Sequence, residues 1–175
     1  MQYSDPFPAA WRRTFRVCQS ASVDVPVPGG NTQSIDLINT QTTSLPTATV
    51  KPLISPVRNP KINGADLFTA STINGTAVTL NWDPPAIGTP FGYTVAIMSP
   101  TTLPDGTVGY LSSTTLSTAK TSIAVPPDLL RSGQTYLFVI TSLVDGKANM
   151  ETSPHRSSLP AASAQLVSAS VTITN

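Results

Sequence analysis

Apolar side chains recur at every second position in one short run of this sequence after another, and that period restricts the chain to β-strands. In "VTLNW", Val78, Leu80 and Trp82 share one face while Thr79 and Asn81 share the other. "GYTVAIM" repeats the pattern with Tyr93, Val95 and Ile97, "TSIAVPP" with Ile123 and Val125, and "TYLFVITSL" with Tyr136, Phe138 and Ile140. Turn signals stand between the runs: Asn74-Gly75, the break "DPPAIGTP", Asp105-Gly106, and the paired prolines Pro126 and Pro127. "NPKINGADLF" supplies an opening strand and "SAQLVSASVTIT" a single closing one. The expectation is an all-β fold, a seven-stranded antiparallel sandwich.

Composition agrees. Charged residues make up 11% of the 175, well below the usual quarter, and there are 17 prolines. A single glutamate, Glu151, leaves the chain short of a favoured helix former. A net charge of +1, with scattered basic residues, gives no electrostatic footprint for nucleic acid. The cluster Arg12, Arg13 and Arg16 reads as solvated charge on a strand rather than an anion site. One cysteine, Cys18, rules out an internal disulfide. No run approaches the length of a membrane span. The first residues lack the basic start and apolar stretch of a signal peptide, so export would rely on a signal removed or encoded upstream.

The stretch "LLRSGQTYLFVI" marks a corner. Leu130 closes the core where the chain crosses between sheets, Ser132-Gly133 turn it, and Tyr136 opens the next strand. A tyrosine so placed can bury its ring and return its hydroxyl to backbone a few residues upstream. These features carry a resemblance. "LNWDPP" with Trp82, "GYTVAI" with Tyr93, and "IAVPPDLLRSGQTYLFVI" with Leu130, Gly133 and Tyr136 resemble a fibronectin type III domain of the bacterial secreted kind over residues 55–175. The resemblance implies an antiparallel β-sandwich and a non-enzymatic interaction or spacer module of a larger secreted or cell-surface protein. It implies an extracellular or cell-envelope location, no cofactor, and a monomeric module. The alternative is an accessory polysaccharide-binding module of a secreted hydrolase. A long insert, Asp145 to Pro160, departs from the pattern.

Residues 1–54 fall outside the resemblance and form an extra N-terminal β segment. "TFRVCQSASVDVPV" alternates, with Phe15, Val17, Ala21, Val23, Val25 and Val27 on one side, and "PGGN" turns it towards "SIDLI". An isolated hairpin is marginal in water, so this one must pack on the sandwich or belong to a preceding domain. The sandwich offers it a place. With Tyr136, Phe138 and Ile140 inward, Leu137, Val139 and Leu143 face out, joined by Ala96 and Met98. Such an outer apolar patch needs a cover. Residues 12–40 are expected on it, beside the penultimate strand. Left bare, Leu137, Val139, Leu143 and Met98, with Tyr110 on a surface strand, would form a binding surface for a protein or polysaccharide.

No catalytic constellation stands out. His155 is the only histidine and lies in a polar loop, so a multi-histidine metal site is out of reach. Ser132 lacks a nucleophile elbow. Asp83 and Asp105 are explained by turns better than by a glycosidase carboxylate pair. Tyr3, Phe7 and Trp11 could stack on sugar rings, but anchoring the N-terminal segment is the simpler role for Phe7 and Trp11. No catalytic, cofactor or metal residue is assigned.

Overall fold

The computed structural model describes residues 8, 14–28, 30–44, 51–146, 149–152 and 158–175. Tyr3, Phe7, Trp11, Arg12, Arg13 and His155 lie outside them. Twelve strands are present among the described residues, with one 3-10 turn at Pro127–Leu129 and no longer helix. They are β1 (Thr14–Pro26), β2 (Thr32–Ser44), β3 (Arg58–Ile62), β4 (Ala65–Asp66), β5 (Ser71–Asn74) and β6 (Val78–Asp83). There follow β7 (Gly92–Thr102), β8 (Val108–Thr118), β9 (Ser122–Val125), β10 (Thr135–Asp145), β11 (Ala161–Val167) and β12 (Val171–Thr174).

Two sheets face each other. The smaller is ordered β4-β3-β6-β9; the larger holds the other eight strands, with β7 and β8 on one side of β10 and β11, β2 and β1 on the other. The alternating residues meet between the sheets: Val78, Leu80 and Trp82 from β6, Tyr93, Val95 and Ile97 from β7, and Tyr136, Phe138 and Ile140 from β10. Trp82 and Tyr93 meet edge-on, ring centroids 5.2 Å apart. Burial raises the Tyr93 phenol; the nearby Trp82 indole N–H opposes the shift only in part and completes no hydrogen bond of its own.

The strand count departs from seven for local reasons. The expected closing strand is two strands, β11 and β12, because Ser168 interrupts it. Its hydroxyl accepts the Phe138 N–H at 2.8 Å while its own N–H bonds the Phe138 carbonyl at 2.9 Å. The next backbone groups then leave β10 for the 67–71 segment, through Ala169 N–H to Leu67 O and Ser71 N–H to Ser170 O. This detour brings β5 alongside β12 in parallel, so the larger sheet is not wholly antiparallel. In the smaller sheet, Asn63 and Gly64 both take positive φ, as a two-residue hairpin turn requires, and set β4 beside β3.

The segment before β3 is held chiefly at Ser55, with the Leu53 N–H donated to Gln41 Oε1 at 3.2 Å. The Ser55 hydroxyl accepts the N–H groups of Ala86 and Ile87, and its carbonyl accepts the buried Ser142 hydroxyl at 2.7 Å. Gly88 sits against this segment at φ +80°, where an added Cβ would lie 2.0 Å from the Leu53 carbonyl oxygen, so only glycine fits.

Candidate functional site

The N-terminal hairpin is the feature that sets this molecule apart from a bare sandwich. Its strands pair without a break from Thr14↔Ser44 to Pro26↔Thr32. Gly30, at φ +89°, closes the turn, with Val27 N–H bonded to Asn31 O. The hairpin joins the larger sheet at one end only, where Ala161–Ser163 of β11 pair with Thr42–Thr40 of β2. Beyond that point side chains replace the ladder: Gln165 Oε1 accepts the Ile38 N–H, and Asn39 Oδ1 accepts the Gln165 N–H.

From there the ribbon crosses the outer face of the sheet. Gln41 is level with Ala162, whose neighbours Ala164 and Ile54 belong to the inner side. Six residues earlier on the same ribbon face, Ile35 lies among Leu137 and Val139 on the outer side. The strong twist of a two-stranded ribbon carries one set of side chains from inside to outside over that distance. At the far end Gln33 reaches β8, where its Oε1 accepts the Tyr110 N–H at 2.5 Å and its Nε2 donates to the Tyr110 carbonyl at 3.4 Å.

The proposed binding residues are therefore not an open surface. Leu137, Val139 and Tyr110 are buried beneath Val25, Val27 and Ile35, and Met98 packs half-buried against the same cluster. Leu143 is half-buried. Tyr110 corrects the expectation most sharply, being 1% exposed rather than a surface aromatic. Its hydroxyl has no hydrogen-bond partner among the described residues, and burial raises its pKa. The hairpin supplies the apolar cover in place of an external partner.

Leu130 and Tyr136 are both buried, and the Arg131 N–H donates to the Tyr136 hydroxyl at 2.8 Å. Gly133 takes φ +78° and donates its N–H to Ile173 O. This corner orders the fold, and with Ser99, Ser113 and Asp128 it borders an open polar hollow of about 370 Å³. Asp105 accepts from the Thr107 hydroxyl and amide, which together lower its pKa, and Asp83 accepts from the Asn59 amide at 2.7 Å. Asp105 is thus engaged in its own turn, whereas Asp83, expected to serve a turn, instead ties the end of β6 to β3 across 24 residues. Among the described residues no group of three or more His, Cys, Asp or Glu side chains could hold a metal ion. No helix there is long and apolar enough to cross a membrane.

Two of the open grooves share one lining residue. Phe68, an exposed aromatic, stands between them at 56% exposure. On the smaller sheet it adjoins a polar hollow of about 380 Å³ with Asn59, Lys61, Asp66, Asn81 and Asp83. On its other side lies an apolar groove of about 420 Å³ along the end of β1. Sequence reasoning had no signal for Phe68, because its setting depends on the 67–71 segment meeting the β11–β12 detour. No protein-family model and no curated protein matches this chain.

Proposed function

We propose that the chain is a non-enzymatic interaction or spacer module, of the fibronectin type III kind, from a larger secreted or cell-surface protein. The observation that carries this reading is the division of strands. β3, β6 and β9 face β8, β7, β10 and β11, and a tyrosine corner stands at the start of β10. That is close to the partition of an immunoglobulin-like sandwich. Its side chains are committed to cores and turns, which suits a rigid body holding neighbours or partners at a set distance. An extracellular or cell-envelope setting belongs to the same proposal.

A second reading, an accessory polysaccharide-binding module, is favoured by the Phe68 hollow. An exposed ring beside Asn59, Asn81, Asp66 and Asp83 offers a stacking face with donors and acceptors for sugar hydroxyls. Affinity electrophoresis through gels containing soluble polysaccharides separates the two. Unchanged mobility in every gel supports the spacer reading. Retardation that is lost in Phe68→Ala transfers the assignment to the polysaccharide reading. Turnover of any glycan or ester by the purified chain would overturn both.

A further inference from the structure

We propose that β1 is a self-association edge, through which two copies of this chain pair antiparallel about a two-fold axis at Ser20. β1 ends the strand order of the larger sheet, and no described strand pairs with its outer side. The hydrogen bonds fix which of its backbone groups are free. Val27 directs its N–H to β2, so the alternation of an antiparallel ladder turns the odd-numbered residues of β1 towards β2. Thr14, Arg16, Cys18, Ser20, Ser22 and Asp24 then present their N–H and C=O groups outward. β2 obeys the same phase, since its even-numbered Ile38 directs its N–H away from β1, to Gln165 of β11. Pro26, which has no N–H, falls on the outward set and bounds the free edge.

Charge selects the partner and the register. Arg16 and Asp24 are the only charged residues of β1. In an antiparallel pair of identical strands, only centring on Ser20 sets Arg16 opposite the other copy's Asp24, and it does so twice. Every outward N–H from Thr14 to Asp24 then meets a carbonyl of the second copy, and Pro26 meets Thr14. Opposite charges at facing positions favour the pairing, and like charges would oppose it.

A separate observation meets this register. The same alignment sets Phe15 of one copy opposite Val25 of the other and Val17 opposite Val23. Phe15 and Val17 are 41% and 43% exposed in the single chain, although they are large and apolar. The place they would occupy is the apolar groove beside β1, lined by Val23, Val25, Pro26, Phe68, Ala70 and Val167. The groove and the two exposed side chains are complementary parts of one interface. An unpaired edge of this length, with exposed apolar side chains on one face, is otherwise a liability that proteins cover.

Sedimentation velocity on the 175-residue chain across a dilution series tests the proposal. The expected result is a dimer that dissociates on dilution. Arg16→Asp alone and Asp24→Arg alone should each lose the dimer, and the double exchange should restore it. Ser20→Pro removes an outward N–H without touching the ladder to β2, so it should sediment as a monomer whose thermal midpoint equals that of the wild type diluted to monomer. A wild-type monomer at every concentration overturns the proposal and leaves the edge to a strand of another protein. A dimer that survives both charge reversals and Ser20→Pro overturns it as well, by placing association on another surface.

Discussion

Two tyrosines with similar burial have opposite hydroxyl economies. Tyr136 accepts the Arg131 N–H, so Tyr136→Phe strands a backbone donor at the sheet crossing. It should cost about 1–3 kcal/mol in urea denaturation. Tyr110 buries a hydroxyl with no partner among the described residues, a group already bearing its desolvation penalty. Tyr110→Phe should therefore be neutral or stabilise by up to about 1 kcal/mol. Equal losses in the two variants would mean that the hydroxyl environments are not as described. The position of Tyr136 was legible in sequence because its partner lies five residues away. Tyr110 was misread because its cover, Val25, Val27 and Ile35, comes from about seventy-five residues or more upstream.

At the scale of the element, the hairpin is half structural and half exposed. Its turn end is built into the cluster of Leu137, Val139 and Tyr110, whereas residues 14–24 of β1 are exposed on both faces. Substitutions on the two faces of β2 should report that division. Ile35→Ala removes a buried side chain over β10 and should cost about 2–5 kcal/mol. Ile38→Ala, on the opposite face and 45% exposed, should stay within about 0.5 kcal/mol. Comparable effects at the two positions in thermal or urea melts would show that the hairpin is not seated as described. The alternation of β1 predicted a strand with one apolar side. It did not predict that one end of that side would be covered while Phe15 and Val17 remained open.

For the whole molecule, the two buried phenols sit in different layers. Tyr93 lies between the sheets and Tyr110 between the larger sheet and the hairpin, and burial raises both pKa values. The folded state therefore holds these protons more tightly than the unfolded chain, whose phenols titrate at about pH 10. The sign follows from linkage. Their contribution is fully present below about pH 10 and is lost as pH rises through the raised folded values. The urea midpoint should accordingly fall above about pH 10, and the paired variant Tyr93→Phe with Tyr110→Phe should flatten that fall. A wild-type midpoint independent of alkaline pH would contradict the burial of both rings.

The sequence by itself determined the β class, the inward faces of β6, β7 and β10, and the corner at Leu130, Gly133 and Tyr136. Each is written in side-chain period or in turn chemistry spanning a few residues. Only the tertiary structure decided the split of the last strand at Ser168, the parallel partnership of β5 with β12, and the course of the hairpin over the sheet. It also placed Phe68 between two grooves. These features arise where backbone groups and apolar faces distant in sequence exchange partners. Period fixes which side chains share a face of a strand; what comes to rest on that face is set by the packing of the whole chain.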